Sequence, residues 1–360
     1  MRRLFTILSL AIIAIIVIVP VVKTEENTGV LKDSMLIYEL PAMPEIPETF
    51  NDILASSKYE RKLSKEFSVN SSPTLTISNE FGKINIKEGT GDKIIFDVLI
   101  TGKGKNESEA KQLSDAVNIN FTQTGNAVFS KTSLGKINCK DCGRSVDIKI
   151  TAPKNTKYIL QNKFGDITMN NASAPVEIKL EFGKLYAKEL VKADIDVKHG
   201  GTRINKCENL EISSGFSKNK FGVIGSLSGK VEQGGFDIEE VSSANIESGF
   251  SKITIDRLKK SFVAKRIAHG SLKIDKIDND FTEIKVDASF SKLQLFFSEK
   301  NNFKTILSSS FGNINIGKLT FLEKSLDKKD AVIGVIGKVK DPAAKVDISN
   351  SHGNISIDKE

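Results

Sequence analysis

The sequence predicts an all-β protein, most of which is a β-solenoid with about 17–21 residues per repeat unit. The first observation behind this prediction is a recurring phrase: an aromatic residue, a Gly or Ser, a Lys, then alternating apolar residues, as in Phe250-Ser251-Lys252-Ile253-Thr254-Ile255. The second is the even spacing of this phrase along the second half of the chain. The third is composition, since 26 Gly against 8 Pro and many Ile, Val, Leu and Phe suit short strands joined by tight turns.

Residues 1–23 carry the clearest targeting signal. Two arginines follow Met1, and the 19 residues 4–22 are apolar apart from Thr6, Ser9 and Pro20, close to the ~20 that a helix needs to cross a bilayer. Because no Ala-x-Ala cleavage pattern follows, a signal peptide and an uncleaved membrane anchor both stay open. Either one would export the rest of the chain to the periplasm or the cell surface. An anchor would also make the membrane a partner through this N-terminal apolar helix.

Residues 24–66 are predicted to be a spacer, disordered in part. Pro41, Pro44 and Pro47 recur at a spacing of three and disfavour both helix and sheet. Within the spacer, only residues 50–56 favour a short helix.

Residues 67–163 are predicted to form a β-rich N-terminal part with looser spacing and one short helix. Period-two alternation of apolar and polar residues indicates its strands, as in Ile84-Asn85-Ile86. Residues 106–116 favour the helix. Asn106 is a good N-cap, acidic residues follow it, and Ala110 and Leu113 share one face.

Residues 164–360 are predicted to be regular solenoid repeats, each with a strand, a turn and a second strand. One unit cannot bury both faces, whereas stacked units share a continuous core. When the units are aligned on the Gly or Ser of the turn, the preceding slot holds Phe164, Phe182, His199, Phe216, Gln233, Phe250, His269, Phe290, Phe311 and His352. The steps between slots are 17–21 residues, except the last step of 41, which we interpret as two further steps.

Turns with a Lys alternate with turns that lack it. Stacked strands lie ~4.8 Å apart, so a Lys in every unit would place like charges side by side, which is unfavourable. Two interpretations fit this alternation. Either each coil is one unit, or the coil is two units, about 34 residues, with the two turn types on opposite edges.

The lysines of the alternate turns are the candidate contact residues: Lys184, Lys218, Lys252 and Lys292. In a stack they would make a basic edge that suits anionic glycans or lipid head groups. Exposed lysines also guard sheet edges against aggregation, and this structural role is the plainer interpretation.

The histidines and cysteines do not predict a metal site. His199 and His269 are four units apart, roughly 19 Å at ~4.8 Å per strand, too far to share one zinc ion. All three histidines are therefore interpreted as packing residues of the aromatic slot. Cys139 takes a core position in a repeat-like phrase and is interpreted as a small core residue, with a Cys139–Cys142 disulfide as the alternative after export.

No catalytic constellation is found in the sequence. Polysaccharide-cleaving β-helices need clustered acidic residues on neighbouring coils, and the equivalent positions here are mostly Ser, Asn, Lys and Thr. The net charge of +7 is dispersed, and with 4 Tyr and no Trp the chain has few side chains for stacking on bases. We therefore expect no enzyme activity, no cofactor and no nucleic-acid partner.

Residues 59–360 resemble the bacterial putative-adhesin family, a domain of unknown function found in β-solenoid envelope proteins and similar in style to auto-transporter adhesin head domains. The resemblance rests on the opening Thr74-Leu75-Thr76-Ile77-Ser78-Asn79-Glu80-Phe81-Gly82-Lys83-Ile84-Asn85-Ile86, on the helix that follows it, on Ile150-Thr151-Ala152-Pro153, and on the closing Ser351-His352-Gly353-Asn354-Ile355-Ser356-Ile357. It implies a right-handed β-helix outside the cytoplasmic membrane. It transfers no catalytic residues.

These observations predict an exported, non-enzymatic cell-envelope β-solenoid with a binding or adhesin-like role. Its extended strand face would meet an envelope or surface polysaccharide. A structural protein that self-assembles by strand addition is the alternative, and a polysaccharide-processing β-helix enzyme is the second alternative.

Overall fold

Strand pairing between neighbouring repeat units builds this protein. The computed structural model describes residues 57–139 and 141–360, and within them 24 strands join in one large sheet accompanied by one helix. The prediction of an all-β protein is confirmed.

The N-terminal part contains ten strands and the helix: β1 (Ser57–Ser68), β2 (Thr74–Glu80), β3 (Ile84–Gly89), β4 (Lys93–Gly104), α1 (Glu107–Asp115), β5 (Val117–Thr124), β6 (Ala127–Leu134), β7 (Gly143–Pro153), β8 (Lys157–Lys163), β9 (Ile167–Ala172) and β10 (Val176–Glu181). β4 pairs antiparallel with β1 and β7, and α1 packs on β4. The predicted helix is confirmed. The Asn106 side chain accepts a hydrogen bond from the Glu109 backbone N–H at 2.9 Å, and Ala110 and Leu113 are buried.

The folded region begins earlier than the sequence predicted. β1 starts at Ser57, inside the range 24–66 assigned to the spacer, and pairs along its whole length with β4. Most β1 side chains face solvent, and its run Tyr59-Glu60-Arg61-Lys62 is polar throughout. Charged residues are typical of an edge strand, so this strand lacks the apolar alternation on which the prediction relied.

The predictions for the N-terminus concern residues that precede this strand. The signal peptide or anchor (residues 1–23), most of the spacer and the short helix over residues 50–56 lie outside the described residues. In the described part of the chain, no helix is long and apolar enough to cross a membrane.

Five long strands form the central part: β11 (Lys184–Lys198), β12 (Gly201–Gly215), β13 (Lys218–Glu232), β14 (Gly235–Gly249) and β15 (Lys252–Ala268). Each pairs in parallel with the next. The offset is 17 residues from β11 through to the start of β15, so Lys184 lies beside Gly201 and Gly201 beside Lys218. Every unit therefore pairs directly with the following one, and the interpretation of a 34-residue, two-unit coil is wrong.

The interior is a set of apolar columns that run along the stack. In β11 the inward-facing side chains are Leu185, Ala187, Leu190, Ala193, Ile195 and Val197. The register continues the Ala187 column with Ile204, Phe221 and Ile238, all buried. Each large apolar side chain buried in this way contributes about 1.5–3 kcal/mol, and neighbouring units supply the surface that covers it.

The C-terminal part contains nine strands: β16 (Ser271–Ile277), β17 (Glu283–Ser289), β18 (Lys292–Phe297), β19 (Phe303–Ser310), β20 (Ile314–Asn315), β21 (Phe321–Asp327), β22 (Ala331–Ile336), β23 (Ala344–Ser351) and β24 (Ile355–Lys359). β23 pairs in parallel with β17 on one side and β19 on the other, so the last unit is inserted before the unit that precedes it in sequence. The interpretation of the 41-residue step as two further units is wrong. Between the two slots lies an antiparallel hairpin, β21–β22, that pairs with β19 through β22.

Cys139 and Cys142 form a disulfide, with their Cα atoms 5.9 Å apart. The interpretation of Cys139 as a core residue is wrong, because it is half-buried in the connection between β6 and β7. The sequence around Cys139 is similar to that of a repeat unit, but the segment after Leu134 does not join the sheet as a strand. The alternative of a disulfide is the observed state.

Cys207 supplies a prediction about alkaline stability. It is buried in β12, and burial raises its thiol pKa from 9.0 to about 11. Between these values the native state keeps a proton that the unfolded state has lost, so rising pH favours unfolding. We expect a Cys207→Val variant to lose less stability across this range, by up to roughly 2 kcal/mol. Urea unfolding at about pH 8 and about pH 11 measures the difference, and identical pH dependence in both proteins would contradict it.

Candidate binding groove

A ladder of aromatic rings runs along one edge of the stack, formed by the residues of the corner slot. In stacking order these are Phe81, Phe164, Phe182, His199, Phe216, Gln233, Phe250, His269, Phe290, His352 and Phe311. Adjacent rings are parallel, with centroids 4.6–5.0 Å apart. All these residues have φ between 49° and 59°, a left-handed conformation that costs a residue with a side chain about 1–2 kcal/mol. Ring stacking offsets part of that cost.

The three histidines are rungs of this ladder, as predicted. Each lies between two phenylalanine rings: His199 between Phe182 and Phe216, His269 between Phe250 and Phe290, and His352 between Phe290 and Phe311. Their interpretation as packing residues is confirmed. Among the described residues, no group of three or more His, Cys, Asp or Glu side chains could hold a metal ion.

Hydrogen bonds explain why Gly and Ser alternate after the ring slot. The Gly200 N–H donates to Ser217 Oγ of the next unit at 3.1 Å, and that hydroxyl donates to the Gly215 carbonyl at 2.8 Å. The same bond recurs from Gly234 to Ser251 and from Gly270 to Ser291. These serines are buried, so the bonds satisfy polar groups that have no access to water. Ser at this position is therefore a structural corner residue.

The strand register places the four predicted lysines in one row. Lys184, Lys218, Lys252 and Lys292 are exposed and alternate with the small residues Gly201, Gly235 and Ser271. Neighbouring lysines are two strands apart, ~10 Å. In the described part of the chain, none of the four forms an ion pair with a carboxylate.

Two depressions lie along the first three lysines of this row. One, of about 570 Å³, lies between Lys184 and Lys218 and includes Gly201. The other, of about 490 Å³, lies between Lys218 and Lys252 and includes Gly235. Because glycine has no side chain, no outward-facing side chain separates the lysines; Gly201 itself is buried and Gly235 is half-buried. These five residues define what we name the lysine groove; Lys292 continues the row beyond it.

Two cations of the groove were not predicted. Arg203 lies two positions after Gly201, and Lys220 lies two positions after Lys218. The two cations therefore belong to the next outward-facing row. The first depression is lined by four cations, Lys184, Arg203, Lys218 and Lys220, and by no carboxylate. In the second depression Lys220 pairs with Asp237 at 3.3 Å. Period-two alternation could have identified both, since residues two positions apart share one face of a strand.

The basic character is particular to this groove. Another depression on the same units, of about 440 Å³, is lined by Lys157 and Lys192 together with the carboxylates of Glu177, Asp194 and Glu211. There Lys157 pairs with Glu177 at 2.8 Å. Mixed charge of this kind is ordinary for a solvated surface. The row lysines differ in that, among the described residues, their side chains form no ion pair, with Asp166 the carboxylate that precedes Lys184 in the row, and this suits an anionic ligand.

No family model and no curated protein matches the chain. Solved structures do match it. A putative cell adhesion protein from Clostridium sporogenes is 12 % identical, with 84 % of this chain and 100 % of that chain covered and a TM-score of 0.21. A putative adhesin from Parabacteroides merdae is 14 % identical over 67 % of this chain and 94 % of that chain, with a TM-score of 0.38. A putative lipid binding protein from Parabacteroides distasonis is 13 % identical over 63 % and 94 %, also with a TM-score of 0.38. Two of these three structures are described as a putative cell adhesion protein and a putative adhesin, the kind of protein that the sequence resembles.

Proposed function

We propose that this protein is a non-enzymatic binding protein of the cell envelope that holds an acidic polysaccharide along the lysine groove. The observation that carries the proposal is the row Lys184, Lys218 and Lys252, evenly spaced and separated by glycines that place no side chain between them. Arg203 adds a further cation to the side of the same groove.

The regular spacing favours a polymer over a small molecule. An exposed ion pair contributes only about 0.2–1 kcal/mol, so a ligand that meets a single lysine binds weakly. A chain with one anionic group per repeat engages several lysines at ~10 Å intervals at once, and the linked contacts add up. A polysaccharide with a carboxylate on every second sugar has a charge repeat of this order.

A groove suits a glycan chain better than a membrane surface. The glycines place no side chain between the lysines, and the depressions along the row accept a narrow chain that lies along the stack. A flat lipid surface would instead be met by protruding side chains. Anionic head groups would still attract the same lysines, so binding to vesicles is one of the outcomes that the experiment below must separate.

The hand of the solenoid and the export of the domain are part of the same proposal. The stacked parallel units form a right-handed β-solenoid, and the constant 17-residue offset and the strong preference of parallel crossovers for that hand support this. The domain is exported, with residues 1–23 as signal peptide or anchor. The Cys139–Cys142 disulfide supports an oxidising compartment outside the cytoplasm.

Replacing the groove lysines tests this function. We expect Lys184, Lys218 and Lys252→Ala together to weaken binding of hyaluronan oligosaccharides, which carry one carboxylate per disaccharide, by roughly 10- to 100-fold. Calorimetric titration of the full chain at low and at physiological salt measures the affinity. Salt should weaken binding to the unaltered protein, because the contacts are exposed.

A second triple variant provides the matched control. Lys179, Lys192 and Lys230 are exposed lysines on the upstream strands of three units, away from the groove. Changing them to Ala removes the same net charge and should leave the affinity within about twofold. Equal losses of affinity in both variants would show that overall charge, and not the groove, causes the binding. Binding to anionic vesicles but not to the oligosaccharide would replace the glycan with a lipid surface as the ligand.

A further inference from the structure

The aromatic ladder has one interruption among the described residues, at Gln233. Its neighbours in the stack, Phe216 and Phe250, are 59 % and 62 % exposed. Rings with an aromatic neighbour on both sides are less exposed: 47 % for Phe164, 49 % for Phe182 and 52 % for Phe290. The difference fits ring faces at the interruption that no aromatic ring covers.

The interruption has the dimensions of one missing ring. Phe216 is covered on its other face by His199 at 4.9 Å, and Phe250 by His269 at 4.8 Å. The faces that turn toward Gln233 are two strand spacings apart, ~10 Å. A flat ring placed midway would meet both at the spacing of the ladder itself.

Gln233 occupies this rung with an exposed side chain that offers polar atoms to a ligand. Its side chain is exposed, and within the described residues its amide has no hydrogen-bond partner. An amide can both donate to and accept from hydroxyl groups. The side chain is unbranched, so it can move aside at small cost when another group enters.

The interruption also opens onto the lysine groove. Phe216 and Gln233 line the same depression as Lys184, Arg203 and Lys218. A chain held by the lysines would therefore pass beside the Phe216 ring and the Gln233 amide, with Phe250 on the far side of Gln233 in the stack. Aromatic faces pack against the apolar C–H face of a pyranose ring, while the ring hydroxyls need hydrogen-bond partners.

We propose that the interruption at Gln233 is a sugar subsite, in which one pyranose ring of an acidic polysaccharide packs between Phe216 and Phe250 and hydrogen-bonds to the Gln233 amide. This subsite rests on the proposed function and deepens it. The lysines recognise charge, and the subsite recognises sugar rings, so the two together select an acidic glycan from other polyanions.

Filling the interruption tests the subsite. A Gln233→Phe variant completes the ladder with the residue type that most of the other slots hold in the same conformation. We expect it to weaken binding of hyaluronan oligosaccharides by about tenfold, the scale of one lost stacking contact. Binding of inorganic polyphosphate, which has charge but no sugar rings, should stay within about twofold. The unfolding midpoint should rise, which excludes misfolding as the cause of any loss.

Two further measurements complete the test. Lys218→Ala should weaken binding of both probes, and Gln233→Ala, which keeps the space open, should weaken the oligosaccharide less than Gln233→Phe does. If Gln233→Phe binds the oligosaccharide as tightly as the unaltered protein, the subsite is wrong and the lysine groove stands. If the unaltered protein binds polyphosphate alone, both the subsite and the glycan assignment are wrong. If the unaltered protein binds neither probe, the proposed function is wrong as well as the subsite.

Discussion

A Gly200→Ala substitution is expected to destabilise the fold by about 3 kcal/mol, the upper end of the usual cost of overpacking. A Cβ at this position would overlap with the carbonyl oxygen of Gly183 in the preceding unit. That oxygen belongs to the backbone of the corner between β10 and β11, where it accepts a hydrogen bond from the Gly201 N–H at 3.3 Å, and it cannot rotate away as the end of a side chain could. Relief therefore requires the two units to separate locally, at the corner where Gly200 also bonds to Ser217.

Gly215→Ala is the control for this prediction. Gly215 lies in the same unit, and a Cβ there would have no atom within 4 Å. Ala should be neutral or slightly stabilising, because it lowers the entropy of the unfolded chain. Urea unfolding of both variants measures the contrast. Equal stability of the two variants would contradict the close approach of successive corners.

An Asn162→Leu substitution is expected to cost about 3 kcal/mol or more, because it leaves several buried polar groups without partners. Asn162 is fully buried, and its amide donates to the carbonyls of Gly82 and Gly165, both at 2.9 Å. Its side-chain oxygen accepts from Asn79 at 3.1 Å, and Asn79 in turn accepts from Thr132 at 2.8 Å. The network joins the N-terminal strands to the first repeat, so its loss weakens that junction.

The exposed Asn205 in β12 offers a matched change. Asn205→Leu makes the same substitution at a position where water satisfies the amide. Its effect on the free energy of unfolding should stay within about 0.5 kcal/mol. Hydrogen exchange adds a spatial readout. In the Asn162 variant, protection should fall first in β2 and β8, whereas a uniform loss over all strands would contradict a local junction.

The repeating part of the fold could be predicted from the sequence because each level of structure repeats with it. The corner residue, the small residue after it and the inward apolar positions recur at the same offset, so aligning units such as those at His199 and Phe216 reproduces the observed register. The three histidines were placed correctly for the same reason. Their slot has one environment, set by stacking, whatever ring occupies it.

The parts that were missed depend on contacts that are distant in sequence. β1 is recognisable only through its pairing with β4, since its own residues are mostly charged. The insertion of β23 between β17 and β19 leaves no local signal, because His352 would suit any free rung of the ladder. When a hairpin is inserted between two units, the order of the units in the stack no longer has to follow their order in the chain.

The candidate site also has features that the sequence predicts and features that it does not. The row Lys184, Lys218 and Lys252 follows from the repeat, and its side chains are exposed as expected. The depressions between them depend on each glycine lying between two lysines of the neighbouring strands. The proposed sugar subsite at Gln233 depends on the rings on both sides of that residue. Neither property belongs to one residue, so neither is visible before the register is known.

Lysine footprinting tests the central claim most directly. The full chain is acetylated with and without hyaluronan oligosaccharide, and the modification of each lysine is measured by mass spectrometry. We predict that bound ligand protects Lys184, Lys218 and Lys252, while Lys192, in the depression of mixed charge, reacts as before. Equal reactivity of the three groove lysines with and without ligand would contradict the claim that the acidic glycan lies along this groove.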